Sequence, residues 1–290
     1  MQRTGPARKF VVQKKEYAVG AAANRSGIVT LLSDFGLRDS YVGQMKGVIL
    51  GLFPAAQIVD LTHEVAPQDV AEGAFQLATA WRSFPAGTVH VAVVDPGVGT
   101  ARRAIAFLHE GHYFVLPDNG LASFVLEARV PERAVLLERR AARLAHVSST
   151  FHGRDVFSPA GAQLARGIAL EDLGSTIDPM SLIRLSVPIV ASENGVVRGP
   201  IVSIDHFGSC RTFIRPDDLP APADRVVVRC GRAVIRGIVR TYADVSEGHT
   251  LALFGSYGGL EIAVRAGSAA KAWELERGMT VEVTGPDESK

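Results

Sequence analysis

From Ile28 to about residue 170 the chain alternates short apolar runs with stretches of helical periodicity, and this alternation is what most restricts its fold. Ile28 to Leu32 reads as a first strand, closed by Ser33-Asp34-Phe35-Gly36. Asp39 to about Leu52 has helical spacing, with Tyr41, Met45, Val48 and Ile49 on one face, and Pro54 stops it. Ile58 to Leu61 is a second strand. Asp69 to Trp81 is a second helix, with Asp69 as N-cap and Glu72 at the capping-box position. Val89 to Val94 is a third strand, and its apolar run, interrupted by His90 alone, predicts a buried parallel strand. Ala104 to Leu108 and Tyr113 to Leu116 predict a hairpin around Gly111. Pro117-Asp118-Asn119-Gly120 is a turn before an expected helix from Leu121, and Val156 to Arg166 is a helix rich in small residues. Such alternation predicts an α/β unit with a mostly parallel sheet and helices on both faces.

After Gly174 the pattern changes. Pro179, Pro188 and Pro200 punctuate the chain, and from Gly195 onward short β-branched runs are separated by Gly, Asp and Asn. This reads as a small all-β barrel or sandwich. The expected division is a disordered basic extension over 1–26, an α/β domain over 27–180, a linker over 181–194 and a β domain over 195–285. The extension carries Arg3, Arg8, Lys9, Lys14, Lys15 and Arg25 with no apolar run long enough for a secretory signal.

With a formal net charge of +1 in 290 residues, no broad attraction to nucleic acid or an anionic membrane is implied. No apolar stretch reaches the roughly 18 residues of a membrane span. Cys210 and Cys230 have no metal-ligand partner at short spacing, and a reducing cytoplasm is the simpler setting for them.

Two polar segments stand out in this apolar chain. The first is Val93-Val94-Asp95-Pro96-Gly97-Val98-Gly99-Thr100-Ala101-Arg102-Arg103, and the second is Phe151-His152-Gly153-Arg154-Asp155. Asp95 falls where the third strand ends, which in an open α/β sheet is the ligand side. A carboxylate, a guanidinium and an imidazole from Asp95, Arg102 and His152 can meet there and hold a water. The bland alternative is a loop with a surface ion pair. Asp34, at the end of the first strand, is placed to accept from the two hydroxyls of a ribose, or else to cap the helix that begins near Asp39. There is no G-x-G-x-x-G after the first strand, no P-loop and no G-x-S-x-G elbow. His63, His152 and His206 with Asp60, Asp155 and Asp205 raise a metal hydrolase as a reading, but their spacing matches no zinc pattern. Ile204 to Ser209 and the Gly-rich turn Phe254 to Ala263 are two further places where a planar ligand can be closed over, although the second needs no function to exist as a hairpin.

Taken together, the segments resemble the S-adenosyl-L-methionine (SAM) hydroxide adenosyltransferases, the SAM hydrolases related to fluorinase and chlorinase. The resemblance runs from about Ile28 to Gly267. It rests on Ser33 to Gly36, Val59 to His63, Phe84 to Val89, Val93 to Gly99, Pro117 to Gly120, Phe151 to Asp155 and Ile204 to Gly208. It implies a Rossmann-like N-terminal domain, a C-terminal β-barrel and a homotrimer with sites between subunits. It also implies an Asp-Arg-His set that handles water, matched by Asp95, Arg102 and His152. Substrate contacts carry over to Asp34, Asp39, Phe151, Asp205, Phe207, Ser209, Ser256, Glu261 and Ala266. Asp34 is then expected on the ribose, Asp205 on the methionine amine and Phe207 stacked on adenine. SAM is the expected substrate, with no cofactor and no metal. The chain departs from the family at Ser209, where the usual residue is Asn. The rival readings are a halide transferase, which Asp95 disfavours by repelling the anion, a non-catalytic nucleoside-binding protein, which would release no adenosine, and a metal hydrolase, which a chelator would silence.

Overall fold

The computed structural model describes residues 25–126, 129–138, 140–185 and 190–286. Most of the expected basic extension, and residues 186–189 of the expected linker, lie outside the described residues. Arg25 and Ser26 are tied down: Arg25 donates to the Ile168 carbonyl and lies over the Tyr113 ring, and the Ser26 amide donates to the Gly87 carbonyl. The chain divides into two compact units after Leu185.

The first unit runs β1 (Ile28–Ser33), α1 (Tyr41–Leu52), β2 (Gln57–Thr62), α2 (Val70–Ala80), β3 (Val89–Val93), β4 (Ala104–His109), β5 (His112–Pro117), β6 (Arg133–Leu137), α3 (Ser158–Ala165) and β7 (Gly174–Ile177). Among the described residues these strands form one sheet in the order β2-β1-β3-β5-β4-β6-β7. The pairs β2–β1, β1–β3 and β3–β5 are parallel, and the remaining three join antiparallel. β3 and β5 are buried along their whole length, His90 and His112 included.

Helices cover both faces. Val29 and Leu31 of β1 and Val89, Val91 and Val93 of β3 share a core with Met45 and Ile49 of α1 and with Ala160, Ala162 and Leu164 of α3. The alternate residue Val94 faces α2, where a side chain on Gly73 would strike it. The small residues of α3 have a packing reason. A Cβ at Gly161 would lie 2.5 Å from Val91 Cγ2, so the helix rests directly on β3. On α1 the buried set is Val42, Met45 and Ile49; Tyr41, expected on the same face, is 47% exposed.

Asp69 caps α2 as expected, accepting from the Glu72 amide, but the capping box is not reciprocal, because the Glu72 carboxylate accepts from the Ala66 amide instead. Over the described residues 121–126 the expected helix from Leu121 is replaced by a run of turns. The Ser123 hydroxyl donates to the Gly120 carbonyl and accepts from the Leu185 amide, a side-chain route that competes with helical bonding.

The second unit is built from antiparallel β-structure. It runs β8 (Ala191–Glu193), β9 (Val196–Pro200), β10 (Ser203–Ile204), β11 (Cys210–Arg211), β12 (Val227–Cys230), β13 (Ala233–Arg236), β14 (Thr250–Phe254), β15 (Leu260–Val264), α4 (Ala269–Trp273) and β16 (Thr280–Thr284). Two sheets, ordered β10-β11-β15-β14 and β13-β12-β16-β9-β8, share one hydrophobic core. Cys210 and Cys230 are free thiols within that core, and burial raises them to about 12 and about 11 respectively. Among the described residues no helix is long and apolar enough to cross a membrane.

Candidate active site

The chain leaves β1 toward β2 on one side and, after β3, continues to β4 and β5 on the other, so the crevice between the carboxyl ends of β1 and β3 is the topological switch point of the sheet. Ser33 is in register with Val93, and both strands deliver a carboxylate to this edge: Asp34 from β1 and Asp95 from β3. Beyond Asp95 the backbone folds into two successive turns, with the Val98 amide donating to the Asp95 carbonyl and the Thr100 amide to the Gly97 carbonyl. They return Arg102 to the carboxylate seven residues earlier. Asn119 steadies the strand end by donating through Nδ2 to the Val94 carbonyl.

Asp95, Arg102 and His152 form one connected group. Arg102 Nε lies 2.9 Å and 3.0 Å from the two Asp95 carboxylate oxygens, and Arg102 Nη2 also donates to Asp95 Oδ2. The pair is largely buried, with side-chain exposures of 10% and 3%. The same Nη2 lies 3.0 Å from His152 Nδ1. A guanidinium only donates, so Nδ1 accepts, and the proton of the neutral ring sits on Nε2. Burial, followed by repulsion from Arg102, lowers the His152 imidazole below its ordinary value, with Asp95 opposing. The imidazole is thus held neutral with its Nε2–H free of the Arg102 contact.

The segment carrying His152 is clamped from behind. It enters a π-type turn, Gly153–Phe157, that leads into α3. Asp155 is 1% exposed and accepts from the Ser148 amide and from Arg154, whose Nη1 reaches Gln44 on α1. The hydrogen bonds from Arg154 and Ser148 hold the Asp155 carboxyl below its usual range against the opposing effect of burial, which is the larger single influence. Beside His152, the ring of Phe151 meets Phe35 and Tyr41 edge-on at 5.8 Å and 5.2 Å. These three rings make an aromatic wall, and only Phe151 was anticipated from sequence. A cavity of about 340 Å³ borders the group, lined by Arg102, Arg143, His152, Val147 and Val156 among others. Asp34 accepts from the Gln68 amide at 2.8 Å, and Gln68 is held at φ 66°. Asp39 is exposed, and the N-cap position of α1 is Ser40, so Asp34 does not cap that helix.

In the second unit, Asp205, Ser209 and Glu261 gather into a second polar group. Asp205 Oδ1 accepts from the amides of Phe207 and Ser209 at 3.0 Å and 2.9 Å. Gly208 is required at this turn: its φ is +84°, and a Cβ would collide with Ser268. Phe207 is left 76% exposed at the tip. Glu261 is buried and accepts from the Tyr242 hydroxyl at 2.9 Å. Burial and the nearby Asp205 charge raise the Glu261 carboxyl. Burial and Glu261 push the Tyr242 phenol up to about 12, with Ser209 opposing. Tyr242 belongs to this group although sequence reading did not single it out; it lies in a one-turn helix with no strand pattern to place it. Ser256 and Ala266 are exposed, outside this hydrogen-bonded group, and Ala266 is held at φ 56°. Among the described residues no three His, Cys, Asp or Glu side chains are grouped to hold a metal ion.

The chain matches the family model of the SAM hydroxide adenosyltransferase N-terminal domain over residues 29–174 and that of the C-terminal domain over residues 199–282. It is 43% identical to an (R)-S-adenosyl-L-methionine hydrolase of Thermus thermophilus over 262 residues, covering 88% of this chain and 98% of that protein. It is 40% identical to an enzyme of the same name from Salinispora tropica, covering 88% and 97%. A fluorinase of Actinoplanes is more distant, at 30% identity over 90% of this chain and 99% of that protein. Among solved structures, an uncharacterised conserved protein of Thermotoga maritima superposes with a TM-score of 0.83 at 36% identity, covering 88% and 99%. The chain belongs to the SAM hydroxide adenosyltransferase family.

Proposed function

We propose that this protein hydrolyses SAM to adenosine and L-methionine, by attack of a water oxygen on the ribose C5′ carbon. The observation that carries the reading is the largely buried Asp95–Arg102 pair with the half-buried His152 joined to it, at the switch point of the sheet, in a chain 40% or more identical to two proteins named as SAM hydrolases. The sulfonium makes C5′ electrophilic and gives methionine a neutral leaving group. As the C–O bond forms, the C–S bond breaks and its electron pair stays on sulfur; the water proton must leave to a base. Departure needs no general acid, so the demand falls on holding and deprotonating the water.

Asp95 fits the role of proton acceptor. Arg102 engages both of its oxygens, but a carboxylate has about four acceptor sites, so lone pairs remain for the water. His152 fits the role of donor, its Nε2–H orienting the water oxygen while Nδ1 is occupied by Arg102. Positioning of this kind supplies several kcal/mol of barrier lowering, and general-base assistance roughly 10²–10⁴-fold. Asp34 is read as the ribose ligand, Asp39 and Phe151 as pocket residues, and no metal is assigned to the reaction. A halide transferase is disfavoured by the carboxylate of Asp95, which repels an approaching anion.

The residues Asp205, Phe207, Ser209, Ser256, Glu261 and Ala266 are read as the contribution of the second unit, taken as a small β-barrel, to a neighbouring subunit's site in a homotrimer. A reducing cytoplasm suits the two buried free thiols. The deciding experiment incubates the purified protein with SAM, with and without EDTA, and identifies the products by mass. Adenosine and methionine in both samples support the reading. Absence of adenosine, or turnover that a chelator stops and a divalent ion restores, overturns it.

A further inference from the structure

We propose that Ser33 and His63 are positioning residues that hold the turn presenting Asp34, and so set the affinity for the nucleoside part of the substrate. This rests on the reading of Asp34 as the ribose ligand. Ser33 ends β1 and is fully buried, and His63, just past the end of β2, is 3% exposed. Their side chains meet at 2.7 Å, Ser33 Oγ to His63 Nδ1. The same Oγ accepts from the Phe35 amide at 3.3 Å, and the His63 carbonyl accepts from the Gly36 amide at 2.8 Å. The two residues on the far side of Asp34 are therefore both fastened, one to the Ser33 side chain and one to the His63 backbone. The Asp34 side chain then reaches the Gln68 amide on the β2–α2 connection.

The other edge of the imidazole is also set. Asp60 Oδ1 lies 3.2 Å from His63 Nε2, outside good hydrogen-bond alignment, and Lys46 of α1 holds the second Asp60 oxygen at 2.6 Å. A carboxylate there favours the proton on Nε2 and leaves Nδ1 to accept from the Ser33 hydroxyl. A polar chain thus runs from Phe35 N–H through Ser33 Oγ–H to His63. Although Ser, His and Asp are joined in line, this is not a nucleophilic triad. Ser33 has no solvent-accessible surface, and its hydroxyl is already engaged on both sides.

The test is a double-mutant cycle on SAM turnover, with kcat and KM measured for Ser33→Ala, Asp34→Asn and the double variant. Ser33→Ala is expected to raise KM about tenfold, the effect of losing roughly one hydrogen bond's worth of placement, while kcat stays within about twofold. Added to Asp34→Asn it is expected to change KM less than about twofold, because the turn it holds no longer presents a ligand. His63→Asn, whose side-chain oxygen can take the place of Nδ1, is expected to keep KM nearer the parent than His63→Leu does. Parent-like KM in Ser33→Ala overturns the proposal, and so does a KM penalty that adds in full to that of Asp34→Asn. If Asp34→Asn itself leaves KM unchanged, the ribose assignment fails and this proposal with it; if Asp34→Asn raises KM but Ser33→Ala does not, only the positioning role fails.

Discussion

Arg102 Nη2 stands 3.0 Å from His152 Nδ1 while the same guanidinium is forked onto Asp95. One cation therefore fixes two things at once: the carboxylate's orientation and the imidazole's tautomer. Protonating His152 would place two N–H groups, and two positive charges, against each other.

This arrangement has a pH signature. Burial and Arg102 lower the His152 pKa, so the neutral ring persists below the ordinary histidine value of about 6.5 and charges only at more acid pH. As pH falls through that lowered value, the Arg102–His152 contact breaks and kcat/KM is expected to drop. Imidazole ¹⁵N shifts should show Nε2–H at neutral pH and a midpoint below about 6.5. In Arg102→Gln the repulsion is gone and Asp95 remains, so the midpoint should move up. An unchanged midpoint in that variant refutes the electrostatic link.

Asp95→Asn keeps the shape and removes both charge and proton acceptor. Single-turnover hydrolysis is expected to fall by roughly 10²-fold or more, the scale of general-base catalysis. SAM affinity should change little, because Asp34 is untouched; Asp34→Ala should weaken affinity with a smaller effect on the bound-state rate. If Asp95→Asn turns SAM over near the parent rate, the water-handling role is lost, though the ligand assignment is not.

Much of the first unit was legible because its signals are local. Apolar runs at Val89 to Val94 and the Asp69 cap need only neighbouring residues to be read, and the strand ends at Asp34 and Asp95 follow from them. What was not legible depends on distant partners. The turns at 121–126 replace a helix because Ser123 finds Leu185, sixty-two residues away. Tyr41 leaves its helical face to join Phe35 and Phe151 at the surface. Tyr242 matters only because folding brings it to Glu261 and Ser209.

The contact between α3 and β3 is tight enough to forecast a stability defect. A Cβ at Gly161 would stand 2.5 Å from Val91 Cγ2 inside the core. Gly161→Val overpacks this layer, and a loss of about 1–3 kcal/mol is expected from denaturant melts. Gly167→Ala has open space but a φ of +107°, so it separates backbone strain from crowding. A parent-like midpoint for Gly161→Val would show that α3 can shift off the sheet at little cost.

The last prediction concerns acid stability and arises from a buried histidine network away from the site. Thr30 Oγ1 lies 2.8 Å from His90 Nδ1, and His90 Nε2 lies 3.2 Å from His112 Nδ1. Trp81 packs against His112 and His109. Burial lowers all three imidazoles, His112 to about 4. In the unfolded chain each titrates near 6.5. Below that pH the unfolded state binds more protons than the folded one, so stability is fully present above about 6.5 and declines as pH falls. For His112 alone the loss approaches about 3 kcal/mol by pH about 4. Urea melts between pH 7 and pH 5, above most carboxylate titration, should show a falling midpoint. His112→Phe, which keeps an aromatic ring but takes up no proton, should flatten that slope even if it lowers stability at pH 7 by leaving His90 Nε2 unpaired. A midpoint independent of pH over this range in the parent protein would mean that these imidazoles open to solvent and take up protons without unfolding.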